Sequence, residues 1–164
     1  MPQISLRDYQ TALLADAAFG VAHPARAAAA AAAIDAAHAE GGRVGAALVV
    51  SPTYYGACAD VRALARECHA RGVPLIVDEA HGAHLSRCAQ LGLGGGGGAL
   101  AQGADLVVHS AHKTLSALTP GAYLHAGARA RARVDLARVG RAMRACQTSS
   151  PSYLVMASLD AARA

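Results

Sequence analysis

Three short apolar runs, each ending in polar residues, constrain the fold of this chain more than any other feature of its sequence. They are AALVVS (46–51), VPLIVD (73–78) and DLVVHS (105–110). Continuous apolar runs of this length, bounded by turn residues, are typical of strands buried within a parallel sheet. A helix predicted over Asp60–Arg71 separates the first two runs, so the sequence predicts a βαβ unit.

The remaining segments extend the same alternation of helices and strands. Pro24 and Gly41-Gly42 bracket a predicted alanine-rich helix ending at about Ala39, because proline favours helix starts and glycine follows helix ends. We also predict helices over Asp8–Ala18 and Arg133–Met143, a short helix that ends at 99–102 and a last helix that starts near Ser152. A fourth strand is predicted over Gly121–Ala126. The predicted fold class is therefore α/β, a mostly parallel sheet flanked by helices.

We expect residues 1–164 to form a single domain, with a glycine-rich loop at 92–98. Five consecutive glycines at 94–98 predict a flexible surface loop or linker. The loop is not a phosphate-binding loop of the nucleotide-hydrolase type, because no Gly-Lys-Ser/Thr follows it.

Polar side chains follow all three predicted buried strands. Ligands of open α/β sheets bind beyond the carboxyl ends of the strands, so neighbouring strands would bring these side chains to one edge. The three groups are Ser51, Thr53, Tyr54 and Tyr55; Asp78, Glu79, His81 and His84; and Ser110, His112 and Lys113.

Lys113 is the only lysine in the sequence, although 15 residues are lysine or arginine. Arginine does not lose its proton in proteins, whereas lysine does and then acts as an amine nucleophile. A chemical role for Lys113 and chance retention in an arginine-rich chain both explain this composition.

The stretch LIVDEAHGAH (75–84) has three interpretations. It resembles the hydrolysis box of a helicase, but that site also needs a phosphate-loop lysine, and Lys113 follows Ser-Ala-His instead. Asp78, His81 and His84 would offer metal ligands, but no cysteine joins them at a zinc-site spacing, and we expect no metal. The third interpretation is the floor of a cofactor pocket.

Asp78 and Lys113, at consecutive predicted strand ends, are the two types of residue that a pyridoxal 5'-phosphate site requires. That cofactor needs a lysine that forms a Schiff base and a carboxylate on its pyridine nitrogen. Ser110, three residues before the lysine, would offer a hydroxyl to the cofactor phosphate.

Composition and targeting features limit the other function classes. The net charge is +4, but the arginines are scattered apart from Arg129, Arg131 and Arg133, with no aromatic residues between them, so we expect no nucleic-acid partner. Neither a signal peptide nor a long apolar span is present, so we expect no membrane association. The four cysteines show no paired spacing, and we expect reduced thiols in a cytoplasmic protein.

Four stretches together are similar to the ornithine/lysine/arginine decarboxylase family. They are SPTYYG (51–56), VDEAHGAH (77–84), GADLVVHSAHKTLSALT (103–119) and QTSSPSYLVMASLDAARA (147–164). The resemblance covers roughly residues 16–164. It implies part of the large domain of a pyridoxal-phosphate-dependent enzyme of the aspartate aminotransferase fold type. It also implies decarboxylation of arginine, lysine or ornithine, and a homo-oligomer for the full-length protein. Because members of this family are longer, we expect a fragment or truncated form.

The resemblance also implies roles for residues around the cofactor. Lys113 would hold the cofactor covalently, and Asp78 would pair with its pyridine nitrogen. Ala80 would lie against the ring, and His81 would sit near the phenolic oxygen. A non-catalytic remnant of the same fold, acting as an interaction module, is the alternative.

The same resemblance implies that Ser110 and His112 contact the cofactor phosphate and that Thr53 borders the cofactor. Purely structural roles are the alternative: a strand-end cap for Asp78, and hydrogen bonding for His81 and His112. We expect structural roles for Glu79, His84, His109 and His125, and leave packing or function open for Tyr54 and Tyr55.

Overall fold

A four-stranded sheet forms the centre of the protein. The computed structural model describes residues 26–94 and 96–163. The strands are β1 (Ala47–Val50), β2 (Leu75–Asp78), β3 (Leu106–Ser110) and β4 (Ala122–Ala126), in the spatial order β1-β2-β3-β4. The pairs β1–β2 and β2–β3 are parallel, and β3–β4 is antiparallel. The predicted α/β class with a mostly parallel sheet is confirmed.

Seven helices and one 3₁₀ turn at Ala130–Ala132 accompany the sheet in the described residues. None of the helices in these ranges is long and apolar enough to cross a membrane. Their bounds are α1 (Ala27–Ala39), α2 (Val61–Ala70), α3 (Leu85–Gln90), α4 (Gly98–Ala101), α5 (Ala111–Thr114), α6 (Leu136–Cys146) and α7 (Tyr153–Arg163).

The predicted helices at 60–71 and from about residue 152 are confirmed as α2 and α7, and the alanine-rich helix as α1. The helix predicted to begin at Arg133 begins at Leu136 instead. The cause is local: Asp135 precedes the helix and its side chain accepts hydrogen bonds from the first helical N–H groups. The helix predicted at 8–18, and Pro24, lie outside the described residues.

The hydrophobic core lies on one face of the sheet. Val49, Val77 and Val107 are in register on adjacent strands, so their side chains point to the same face. Leu64 and Cys68 of α2 cover this face and are fully buried. Their spacing of four residues places both on one side of α2, as the sequence predicts.

The opposite face of the sheet is more open. Leu48 and Val50 of β1 project from it and are 67% and 48% exposed. Ile76 and Val108 lie on the same face and are partly buried. Asp78 ends β2 on this face, so the open face leads directly to the carboxyl edge of the sheet.

A buried carboxylate joins the amino ends of the central strands. Asp105, just before β3, is 1% exposed and accepts a hydrogen bond from the Leu75 backbone N–H at 2.9 Å. His69 Nε2 lies 2.7 Å from one carboxylate oxygen, and Arg133 Nε donates to the other at 3.0 Å. Burial by itself would raise the pKa of Asp105, but these three partners together hold that pKa below its usual value.

Candidate cofactor site

The three predicted polar groups follow neighbouring strands at one edge of the sheet. Ser51 continues β1, and its backbone N–H donates to the Asp78 carbonyl at 3.0 Å. Asp78 ends β2 and Ser110 ends β3. Asp78 is in register with Val108, and Ser110 lies two residues further along β3, so both side chains project from the open face.

Asp78 is held at the strand end by its own turn. Its Oδ1 accepts a hydrogen bond from the Ala80 backbone N–H at 3.0 Å. No other described residue donates to this carboxylate. The next residue still belongs to the ladder, because the Glu79 N–H donates to the Val108 carbonyl at 2.9 Å. The carboxylate is therefore fixed in place while its second oxygen stays available to a cation.

Lys113 and His81 meet across the edge of the sheet. Lys113 lies in α5, directly after β3, and its Nζ is 3.2 Å from His81 Nε2. His81 belongs to the turn after β2, and its ring meets the Tyr54 ring edge-on at a centroid distance of 5.5 Å. The exposed lysine amine, the imidazole and the aromatic ring thus come from three different strand ends.

Ser110 and His112 flank the same edge. The Ser110 hydroxyl has no hydrogen-bond partner among the described residues, and the side chain is partly buried. His112 Nδ1 lies 2.8 Å from the Gly121 carbonyl and 3.2 Å from the Gly121 N–H. Only one of these bonds exists at a time, and the protonation state of Nδ1 decides which. An imidazolium donating in this way, or a neutral ring accepting from the N–H, presents Nε2–H to a ligand.

Thr53 shapes the turn after β1. Its backbone N–H donates to the Ala57 carbonyl at 2.8 Å, and its hydroxyl accepts from the Ala57 N–H at 3.2 Å. Ser51 braces the same turn by accepting from the Ala59 N–H at 3.0 Å. Thr53 is 8% exposed, whereas Tyr54 and Tyr55 are 79% and 72% exposed. The two tyrosine rings therefore project from the turn and do not enter the core.

A histidine–glutamate cluster lies beneath the site on the core face. His109 Nε2 lies 2.7 Å from Glu79 Oε2, and both residues are buried. The His125 ring of β4 is 4.6 Å from the His109 ring, and its buried Nε2 has no partner among the described residues. Burial, with the nearby His109, lowers the pKa of His125. The structural roles expected for Glu79, His109 and His125 stay predictions.

Gly82 is a site residue that sequence reasoning missed. A β-carbon at this position would lie 2.6 Å from both Glu79 Cγ and Pro52 Cδ, which is too close for any real contact. The turn carrying His81 therefore packs against the Glu79 side chain and the β1 turn only because residue 82 is glycine. The signal in the sequence was a lone glycine between Asp-Glu-Ala-His and Ala-His.

The metal interpretation finds no further ligands. In the ranges 26–94 and 96–163, no group of three or more histidine, cysteine, aspartate or glutamate side chains is arranged to hold a metal ion. His84 is exposed and precedes α3. His81 Nε2, a potential ligand atom, contacts the lysine amine instead.

Pyridoxal phosphate fits the side chains at this edge. The site offers one amine for its carbonyl, a carboxylate with a free oxygen for its pyridine nitrogen, and a hydroxyl and an imidazole for its phosphate. These groups belong to Lys113, Asp78, Ser110 and His112.

Comparisons with known proteins identify the family of this chain. Residues 14–164 match the protein family described as Orn/Lys/Arg decarboxylase, major domain. The uncharacterized protein YaaO of Bacillus subtilis is 50% identical over 117 residues, covering 71% of this chain and 23% of that protein. An arginine decarboxylase of Halalkalibacterium halodurans is 40% identical over 116 residues, covering 71% of this chain and 22% of that protein. The chain spans less than a quarter of the length of these relatives.

One solved structure shows a similar fold. Apo CalE6, a methionine gamma lyase from Micromonospora echinospora, superposes with a TM-score of 0.50 at 21% identity, covering 72% of this chain and 30% of that chain. Mouse CSAD in its apo form gives a TM-score of 0.48 at 27% identity, covering 78% of this chain and 25% of that chain. At 21% identity, the likeness to CalE6 bears on the fold alone.

Proposed function

The chain belongs to the Orn/Lys/Arg decarboxylase family, and from this membership we propose that residues 1–164 form part of the large domain of a pyridoxal-phosphate-dependent decarboxylase. Gly98 of the predicted glycine-rich loop at 92–98 begins α4. The part of the loop before it would be an internal loop of that domain. The observation that carries the proposal is the meeting of Lys113 with His81 beside Asp78 at the carboxyl edge of a parallel sheet.

Each site residue would have a distinct task in holding the cofactor. Lys113 would bind its carbonyl covalently, and Asp78 would keep its ring nitrogen protonated. Ser110 and His112 would donate hydrogen bonds to its phosphate. When bound, pyridoxal phosphate supplies an electron sink for the bond that is broken at the α-carbon of an amino acid.

Three more residues would complete the wall of the site. Ala80 is buried, and its N–H orients the Asp78 carboxylate, so a small side chain here would leave room for the ring. His81 would lie near the phenolic oxygen. Thr53 would act through its turn, whose two hydrogen bonds to Ala57 hold the β1 end beside the site.

His81 is placed to handle the proton of the lysine amine. A protonated Lys113 donates to an unprotonated His81 Nε2 across 3.2 Å, and transfer of that proton leaves a nucleophilic amine. Lysine serves here where arginine would not, because arginine keeps its proton.

We propose a basic amino acid (arginine, lysine or ornithine) as the substrate. The support is the family itself and the two relatives at 40% and 38% identity that are named arginine decarboxylase. A substrate amine would compete with Lys113 for the same carbonyl of the cofactor. Binding of the substrate would therefore release the Lys113 amine from the cofactor, which gives a direct assay.

The test uses the single lysine of the sequence. The chain is incubated with pyridoxal phosphate and reduced with borohydride, and the modified peptide is mapped by mass spectrometry. We expect the cofactor on Lys113, and no side-chain label in Lys113→Arg, which keeps the positive charge without the nucleophile. Absence of the adduct in the wild type, or equal labelling in the variant, would falsify the proposal.

A competition experiment addresses the substrate. Arginine, lysine or ornithine added before reduction should lower the fraction of cofactor fixed on Lys113 more than leucine does at the same concentration. Equal effects of leucine and the basic amino acids would exclude selection for a basic side chain by this chain.

The open face of the sheet favours self-association as a second proposal. Leu48 and Val50 are exposed on that face, and Leu154 of α7 is 70% exposed. Apolar surface of this kind favours association. Sedimentation of the chain should show a homo-oligomer, and a monomer at all concentrations would contradict this. The cytoplasmic location, and the expected absence of nucleic-acid and membrane partners, stay predictions.

A further inference from the structure

Glu79 and His109 form a buried pair directly behind the cofactor residues. Glu79 follows Asp78 in the chain, and His109 precedes Ser110. Successive residues of an extended strand point to opposite faces, so the pair lies on the core face while its neighbours face the site. Their side chains are 4% and 11% exposed, and the 2.7 Å bond between them joins the ends of β2 and β3.

The same carboxylate also anchors a third segment. Glu79 Oε1 accepts a hydrogen bond from the Ala99 backbone N–H at 2.9 Å, in α4 after the five-glycine run. Gly98, with a φ of +73°, lies next to this carboxylate, and a β-carbon there would be 3.4 Å from Glu79 Oε2. Both oxygens of Glu79 therefore have fixed partners, and the glutamate carboxylate cannot move without breaking two hydrogen bonds.

A polar pair at this position is not explained by stability alone. Burying polar or charged side chains costs desolvation, and well-packed apolar side chains of similar volume are often as stabilising. Directional bonds instead fix one relative position of the segments that they join, whereas apolar contacts tolerate small shifts. The gain here is a defined spacing between two strand ends.

We propose that Glu79 and His109 are a positioning pair that sets the spacing between Asp78 and the Ser110–Lys113 segment, an inference that rests on the proposed function. The pair acts through the backbone, because Glu79 is bonded to Asp78 in the chain and its N–H donates to Val108 of β3. The groups that face His109 are Glu79 from the β2 end, and Tyr123 and His125 from β4.

The test compares two buried histidine–carboxylate pairs in the full chain. His109→Leu removes the bond to Glu79, and His69→Leu removes the equivalent 2.7 Å bond to Asp105 at the other end of the strands. We expect His109→Leu to weaken pyridoxal phosphate binding by about tenfold or more, the size of effect seen when a supporting partner is removed from a metal site. His69→Leu should lower stability but leave the dissociation constant of the folded fraction unchanged.

A conservative variant and a spectroscopic readout separate positioning from stability. His109→Gln keeps an N–H donor toward Glu79 and should recover most of the binding. The pH at which the absorption band of the Lys113-linked cofactor changes should shift in His109→Leu and return toward the wild-type value in His109→Gln. Equal dissociation constants and equal pH midpoints in wild type, His109→Leu and His109→Gln would overturn the inference.

A measurement on the wild type covers the case in which His109→Leu does not fold. If the pair assists cofactor binding, the cofactor must in turn stabilise the pair, because coupling is reciprocal. Pyridoxal phosphate should then slow hydrogen–deuterium exchange at the Ala99 amide more than in α1. No difference between these segments, in a chain that does label at Lys113, would refute the positioning role and leave the proposed function standing. No labelling at Lys113 would reject both.

Discussion

Removing the Asp105 carboxylate should destabilise the protein more than any change at an exposed ion pair. The side chain is 1% exposed and accepts from the Leu75 N–H, His69 and Arg133. In Asp105→Ala the Leu75 N–H would be buried without an acceptor, which costs about 1–3 kcal/mol. Breaking a buried charge pair by removing one partner costs about 3–5 kcal/mol.

The expected loss lies near the lower end of that range, at about 3 kcal/mol. The reason is that His69 and Arg133 are not fully enclosed: their side chains are 23% and 24% exposed, so water would reach them after the carboxylate is removed. Domains of this kind have unfolding free energies of about 5–15 kcal/mol, so the change is a large fraction of the total. Asp105→Asn keeps one hydrogen-bond acceptor and should lose less unfolding free energy than Asp105→Ala.

Urea unfolding followed by far-ultraviolet circular dichroism measures this loss. With a slope of about 1–3 kcal/mol per M urea, the midpoint should fall by about 1–3 M. The matched control is Asp160→Ala, because Asp160 pairs with Arg163 and both side chains are more than 70% exposed. That control should not shift the midpoint measurably. Equal shifts in the two variants would refute the argument from burial.

The pH dependence gives a second check on the same carboxylate. The pKa of Asp105 is lowered in the folded protein. Its contribution to folding stability is therefore fully present above the pKa of the unfolded chain, about 3.9, and is lost as the pH falls through the pKa of the folded protein. The stability difference between wild type and Asp105→Asn should therefore shrink as the pH falls below about 4. A difference that shrinks between neutral pH and pH 5 would contradict this assignment.

Two further predictions concern the cofactor site and its buried histidines. Gly82→Ala should lower both the urea midpoint of unfolding and the amount of cofactor fixed on Lys113, because the new methyl group would lie 2.6 Å from Glu79 Cγ. Wild-type values for both measurements would contradict the close packing at Gly82. The pKa of His125 is lowered by burial, so its protonation opposes folding below its usual value of about 6.5. As the pH is lowered from about 7.5 to about 5.5, the free energy of unfolding of His125→Phe should therefore rise relative to that of wild type, as measured by urea unfolding. An equal pH dependence of the two unfolding free energies would reject this.

The sequence predicted the sheet and its edge because both depend on short-range patterns. Continuous apolar runs predicted the three parallel strands, and Asp60 correctly marked the start of α2, whose first turn it caps. The helices α3 and α5 were not predicted, because each is six residues or shorter and carries no clear periodicity. The sequence predicts a start for α6 that is too early, because Arg133 is a good helix former that instead bonds Asp105.

For the candidate site, the sequence by itself determined which functional groups reach one edge. Strand ends in a parallel sheet meet at the same edge, so Asp78 and Lys113 were predicted to be neighbours from order and chemistry alone. Only the tertiary structure decided which neighbour each side chain contacts: His81 with Lys113, Glu79 with His109, and Gly82 against the Glu79 side chain. The first two contacts join residues 32 and 30 positions apart. All three depend on turn geometry and packing, which local sequence patterns do not encode.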